Sequence, residues 1–203
     1  MKNLLALVGT NSEKSTNRQL LQYMKKHFAD QAHIDLCEIK DLPLFDKPAD
    51  QQLPASVLQL ADQIEASDGV IISTPEYDHS IPAVLSNALA WLSYGIYPFI
   101  DKPVMITGAS YGTLGSSRAQ SHLRQMLNAP ELKARTIPGA DFLLGNSLQA
   151  FDSEGKLIDP ELISQLEAIV TDFLAFIDIM KQVNTAHLSN VRLAEKFSWE
   201  PEE

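Results

Sequence analysis

Three short apolar runs, each ended by a turn-forming loop and each followed by a helical pattern, constrain this chain more than any other feature. They are Leu4-Leu5-Ala6-Leu7-Val8 before Gly9, Gly69-Val70-Ile71-Ile72-Ser73 before Thr74-Pro75, and Val104-Met105-Ile106-Thr107 before Gly108. An unbroken apolar run of this length reads as a strand buried on both faces. A parallel sheet with helices on both sides supplies that environment.

The segments between the runs agree. Residues from Ser15 to about Ala29 place Leu20, Leu21, Met24 and Phe28 at helical spacing, with Ser15 and Thr16 as candidate caps. His33 to Ile39 predicts a second strand, and a turn-rich stretch through Pro54 leads into a helix from Ala55 to about Ser67. Ala83 to about Tyr94 predicts a helix bearing Leu85, Leu89 and Leu92 on one face. A further helix is expected to about Asn128, a fifth strand over Ala134–Ile137, and a last major helix from about Pro160 to Lys181.

Five strands alternating with five helices give an α/β, doubly wound parallel sheet. Right-handed crossovers leave few topologies, and the flavodoxin-like order 2-1-3-4-5 sets the ends of strands one, three and four side by side. We assign residues 1–183 to one domain and 184–203 to a C-terminal tail. That tail carries Leu188, Val191, Leu193, Phe197 and Trp199, too many apolar residues for a purely solvated end, and is expected to contact a second subunit.

The net charge of −10 opposes binding to nucleic acid or an anionic membrane. The single cysteine, Cys37, cannot form an intramolecular disulfide and reads as a small core residue of the second strand; no Cys/His cluster has metal-ligand spacing. No apolar stretch approaches the roughly 20 residues that span a bilayer. Met1-Lys2-Asn3 runs straight into a strand without a signal-like segment, so a cytoplasmic location is expected.

The chemistry is concentrated in the loops after strands one, three and four. The first, Gly9-Thr10-Asn11-Ser12-Glu13-Lys14-Ser15-Thr16-Asn17, combines small and hydroxyl residues at a helix start, where backbone N–H groups converge on an anion. Thr10, Ser12, Ser15, Thr16 and Asn17 are the candidate phosphate ligands; plain helix capping is the competing reading. The loop lacks the spaced glycines of a dinucleotide fingerprint and the Gly-Lys-Ser/Thr ending of a P-loop. The second loop runs from Thr74 to Pro82. Pro75 stiffens it, Tyr77 offers a flat face to a heterocycle, and Glu76 and Asp78 flank that ring; an ordinary connecting turn is the alternative. The third, Ser110-Tyr111-Gly112-Thr113-Leu114-Gly115, offers Gly112 and Gly115 where backbone must approach a ligand. A phosphate cradle and a ring wall at one sheet edge point to a flavin mononucleotide (FMN) site. In such a site flavin N5 carries the chemistry and no catalytic side chain is required, so His79 is not assigned as a base. Trp91 reads as core or subunit contact, and Asp152, Glu154 and Asp159 as a solvated turn.

These motifs resemble those of the NADPH-dependent FMN reductase family, flavodoxin-like proteins that include quinone, azo and chromate reductases. The family's Gly-Ser-x-Arg-x-x-Ser-x-Asn loop is matched at Gly9, Thr10, Ser15 and Asn17. Its Pro-Glu-Tyr-Asn-x-Ser-Ile-Pro loop is matched at Pro75, Glu76, Tyr77, Ser80, Ile81 and Pro82. Ser12 stands where the family has arginine, with Lys14 as the nearby charge, and Asp78 stands where it has asparagine. A carboxylate at 78 beside the ring is expected to lower the flavin potential. The resemblance implies bound FMN, NAD(P)H as hydride donor, ping-pong transfer to a flavin, quinone, azo or similar small-molecule acceptor, and a homodimer or homotetramer. The alternative is an FMN-binding electron carrier or redox-signalling module without direct nicotinamide oxidation.

Overall fold

The computed structural model describes residues 1–183 and 186–196. Its centre is β1 (Lys2–Val8), flanked in parallel by β2 (Ala32–Glu38) and β3 (Gly69–Ser73), with Ala6 opposite both Leu36 and Ile71. Beyond β3 comes β4 (Pro103–Ala109), also parallel, with Ile72 opposite Ile106. The edge beyond β4 begins with β5 (Arg135–Thr136), which gives the order β2-β1-β3-β4-β5 expected from the sequence.

Because successive side chains of a strand point to opposite faces, each central strand feeds two cores. Leu4, Ala6 and Val8 join a cluster with α1 (Thr16–His27) and α5 (Pro160–Val183). Leu5 and Leu7 join the opposite cluster with α2 (Ala55–Ala66), α3 (Ala83–Trp91) and α4 (Ser117–Leu127). Leu20, Leu21, Met24 and Phe28 of the α1 segment are all fully buried, each contributing about 1.5–3 kcal/mol relative to exposure.

The fifth strand position differs from the expectation. The chain pairs with β4 twice, first at β5 and again at β6 (Phe142–Leu144), where Thr107 lies opposite Phe142. Between them Pro138 has no N–H for the ladder and Gly139 turns with φ 66°, so the strand breaks and resumes. One helix end also shifts: α3 stops at Trp91, and Ser93 and Tyr94 tighten into turns on Ala90 and Trp91. Trp91 is buried, donating to Pro43 O at 2.8 Å. Cys37 is half-buried rather than in the core, its thiol 3.3 Å from Gln63 Oε1.

A sixth helix, α6 (His187–Glu195), occupies the segment assigned to the tail. It docks on its own domain through Asp101, whose side chain is 0% exposed. Arg135 Nε donates to Asp101 Oδ1 at 3.0 Å, and Asn190 Nδ2 reaches both carboxylate oxygens at 3.0 and 2.7 Å. His187 Nδ1 lies 3.2 Å from Oδ2, and Lys133 Nζ donates to Asn190 Oδ1 at 2.7 Å. Leu188 and Leu193 stay exposed, while Phe197 and Trp199 lie outside the described residues. No helix among the described residues is long and apolar enough to cross a membrane.

Burial pushes the Asp101 carboxyl up, but the hydrogen bonds from Asn190, His187 and Arg135 outweigh it and hold the group below the usual carboxylate range. A carboxylate depressed on folding stabilises above its unfolded pKa of about 3.9 and loses that contribution as pH falls through the folded value. Asp101→Ala is therefore expected to cost about 3 kcal/mol at neutral pH in urea unfolding, because it leaves Arg135 and Asn190 without their buried partner. The gap between variant and wild type should narrow as pH falls towards about 3; a gap constant over that range would show that the charge of Asp101 is not what holds α6.

Candidate functional site

β1, β3 and β4 end side by side, and one side chain ties the ends of β3 and β4 to the start of α1. Asn17, in the first turn of α1, accepts from Ala109 N at 2.9 Å and from Ser73 Oγ at 2.9 Å through its Oδ1. Its Nδ2 donates to Ala109 O at 2.9 Å. The same crowded layer explains Gly108: a Cβ there would fall far inside contact distance of both Thr74 O and Ser116 Oγ.

Above these ends lies a cavity of about 480 Å³, within the range typical of small-molecule sites. All three loops line it: Thr10, Ser12, Ser15, Thr16 and Asn17 from the first, Pro75, Glu76 and Tyr77 from the second, and Ser110, Tyr111 and Gly112 from the third. Thr10 Oγ1 and Tyr77 Oη stand 3.3 Å apart, closing the first loop on the second.

At the α1 end, Ser15 is the N-cap, in extended backbone, and its Oγ accepts from Arg18 N at 3.2 Å. Its hydroxyl hydrogen remains free to donate. The amides of Thr16 and Asn17 have no intrahelical acceptor, as in the first turn of any α-helix. Thr16 and Asn17 line the cavity, yet their side chains are used within the protein, Thr16 Oγ1 lying 2.8 Å from Ser147 Oγ. Lys14 projects at this end and makes no ion pair among the described residues.

At the other end two aromatic rings, Tyr77 and Tyr111, line the cavity while 47% and 59% exposed. The second loop holds Tyr77 through a tight hairpin in which Tyr77 and Ser80 exchange backbone hydrogen bonds of 3.0 and 2.9 Å. That geometry places Asp78 and His79 at the tip with φ of 49° and 65°, a backbone that aspartate tolerates better than most residues. Asp78 consequently does not line the cavity, contrary to the sequence expectation. Gly115 does not line it either. Its φ is 57°, and a Cβ at this position would lie 2.5 Å from Leu143 C, so the glycine is a packing requirement against β6.

Glu76 has a second role that the sequence did not reveal. Its carboxylate accepts from Arg118 N at 3.0 Å and Ala119 N at 3.4 Å, capping α4, and pairs with the Arg118 guanidinium. Burial raises the Glu76 carboxyl, but the Arg118 side chain and the two α4 amides together hold it below the usual range. Arg118 and Ser116 line the cavity and were not anticipated; the only signal for Arg118 is its spatial pairing with Glu76, which sequence spacing does not carry. Among the described residues no group of His, Cys, Asp and Glu is arranged to hold a metal ion.

Residues 2–149 match the family model described as NADPH-dependent FMN reductase. The chain is 50% identical over 201 residues to the NADH:(hydroxy)cinnamate reductase subunit CrdA of Vibrio ruber, covering 99% of each chain. It is 41% identical over 180 residues to the NADH-dependent flavin reductase subunit 2 of Lactobacillus johnsonii, covering 86% of this chain and 97% of that one. The flavoenzyme NAD(P)H:(acceptor) oxidoreductase FerB of Paracoccus denitrificans superposes with a TM-score of 0.68 at 27% identity, covering 97% of this chain and 98% of the other. The chain therefore belongs to the NADPH-dependent FMN reductase family and is an oxidoreductase that works through FMN with NAD(P)H as electron donor.

Proposed function

We propose that the cavity at the ends of β1, β3 and β4 is the flavin site, and that the chain passes electrons from NAD(P)H through FMN to a small acceptor or to a partner subunit. The observation that carries this reading is the convergence of a hydroxyl-rich helix N-terminus and two half-exposed tyrosines on one cavity.

The donor set fits FMN end to end. Ser12, Ser15, Thr10 and the first-turn amides of α1 would hold the phosphate, with Lys14 as the nearby cation. Thr16 and Asn17 would contribute backbone, since their side chains are engaged elsewhere. Pro75, Glu76 and Tyr77 would flank the ring, and Ser110, Tyr111 and Gly112 would meet its polar edge. When bound, the flavin supplies two-electron redox chemistry at N5. The protein's share is orientation: Glu76 fixes the ring loop to α4, and the Tyr77–Ser80 turn holds the aromatic ring at the cavity mouth.

Two relatives are named as subunits of NADH-dependent reductases, which supports electron delivery to an associated protein as well as to a free flavin, quinone or azo acceptor. The carrier reading is not favoured, because those same names describe oxidation of the nicotinamide itself. We place the protein in the cytoplasm, where NAD(P)H is supplied, and infer that the exposed Leu188 and Leu193 of α6 meet a second subunit in a dimer or tetramer.

Anaerobic stopped-flow mixing of the FMN-loaded protein with NADH or NADPH should bleach the flavin absorbance in a saturable phase without any other protein. Absence of bleaching by both donors would return the chain to the carrier class. Ser15→Ala should lower the stability of the flavin-free protein by about 1 kcal/mol through the lost cap. It should also weaken FMN by about 1–3 kcal/mol through the lost donor; unchanged FMN affinity would limit Ser15 to capping. Asp78→Asn is expected to move the potential of bound FMN by less than about 15 mV, on a scale where about 30 mV equals 1.4 kcal/mol. A rise beyond that in spectroelectrochemistry would put the carboxylate beside the ring after all.

A further inference from the structure

The phosphate loop of this chain lacks an arginine at position 12, and the structure places one behind the loop instead. Arg18, in the first turn of α1, donates from Nη1 to Ser12 O at 2.7 Å and to Glu13 O at 3.0 Å. Its Nε and Nη2 donate to Glu38 at 2.6 and 2.9 Å, a two-point fork at the last residue of β2. The Arg18 side chain is 17% exposed, and neither Arg18 nor Glu38 lines the cavity, whereas Ser12, Lys14 and Ser15 do. The loop therefore stands between the guanidinium and the cavity.

The consequence follows from peptide geometry. In a planar trans peptide the C=O and the following N–H point in opposite directions, and no cis peptide occurs among the described residues. Drawing the carbonyls of Ser12 and Glu13 back onto Arg18 turns the N–H groups of Glu13 and Lys14 the other way. Neither amide donates to a protein acceptor among the described residues. Successive N–H groups left free on one side of a loop form an anion-binding concavity. Glu38 neutralises most of the guanidinium charge, so the contribution of Arg18 is to shape the loop rather than to attract the anion through space. Fixed at four points by a planar fork, the side chain also suits this task better than lysine would.

We infer that Arg18 is a positioning residue that braces the phosphate loop from behind and orients the amide of Lys14, which lines the cavity, for the FMN phosphate, in place of a direct arginine contact from position 12. This rests on the assignment of the first loop to the phosphate. Riboflavin has the same ring system without the phosphate, so it separates a brace for the phosphate nest from general support of the fold.

The test is titration of flavin fluorescence with FMN and with riboflavin, using the full chain as wild type, Arg18→Ala and Arg18→Lys, alongside thermal unfolding of each without ligand. The expected result is an FMN dissociation constant raised about tenfold in Arg18→Ala while that for riboflavin moves less than about twofold, with Arg18→Lys between the wild type and Arg18→Ala. Equal weakening of both ligands, or unchanged FMN binding, would overturn the brace. If Arg18→Ala does not fold, Arg18→Lys decides alone: a loss confined to FMN supports the brace, and an equal loss or none overturns it. A wild type that binds riboflavin as tightly as FMN would overturn the phosphate assignment and the brace together, which distinguishes the two failures.

Discussion

The site depends on one buried side chain, Asn17, which joins the ends of β3 and β4 to the start of α1. By bonding both the N–H and C=O of Ala109 and the hydroxyl of Ser73, it fixes the height at which the loops after β3 and β4 leave the sheet relative to the start of α1. The residue is only 2% exposed, in a layer where an unmade hydrogen bond is costly. Without that tie the three loops would still sit at the same sheet edge, but the cavity between them would have no fixed depth.

Around this tie the loop residues divide into those that face the cavity and those that hold the facing residues in place. Thr16 is engaged by Ser147, Glu76 reaches across to cap α4, and Arg18 grips the first loop from the side of β2. Ser15, Tyr77 and Tyr111 are left presenting a hydroxyl or rings to the open space, while Ser12 lines it with its hydroxyl donated to Lys14 O at 3.1 Å. Such a division is expected where a cofactor supplies the reactivity and the protein supplies rigid placement. It also limits what the departures from the family pattern can do. Ser12 stands where the family pattern has arginine, and Arg18, which we propose to brace the loop, holds the carbonyls of Ser12 and Glu13 from behind. Asp78 in place of asparagine falls on a turn tip that requires positive φ and puts the side chain outside the cavity lining.

At the opposite end of the sheet, Asp101 does for α6 what Asn17 does for the site. A carboxylate with no exposed surface, met by Arg135, Asn190 and His187, secures a helix whose own apolar face is slight: Ala194 is buried, while Leu188 and Leu193 are exposed. The sequence led to the expectation that the tail is too apolar for a purely solvated end. It did not show that the anchoring would be polar, because the partners lie at positions 101, 133 and 135, far from the helix in the chain.

The sequence by itself determined the layered sheet, its strand order and the three loops that meet over it. Those follow from local signals, namely apolar runs long enough for a doubly covered strand, helical spacing of leucines, and turn residues at the strand ends. It also identified Ser15 as a cap and Tyr77 as a ring beside the cavity, since both roles depend on residues nearby in the chain. Tertiary structure alone decided which loop residues face inward. Asn17 and Thr16 turn to bond partners 131 or fewer residues away, Gly115 packs on β6, and Arg18 finds Glu38 across the β1–β2 edge. The break between β5 and β6 belongs to the same class, because a strand this short is recognisable only by the neighbour that completes its hydrogen bonds. Long-range hydrogen bonds and close backbone contacts leave no periodic trace in a sequence, and they are what separates residues that line this site from residues that hold it.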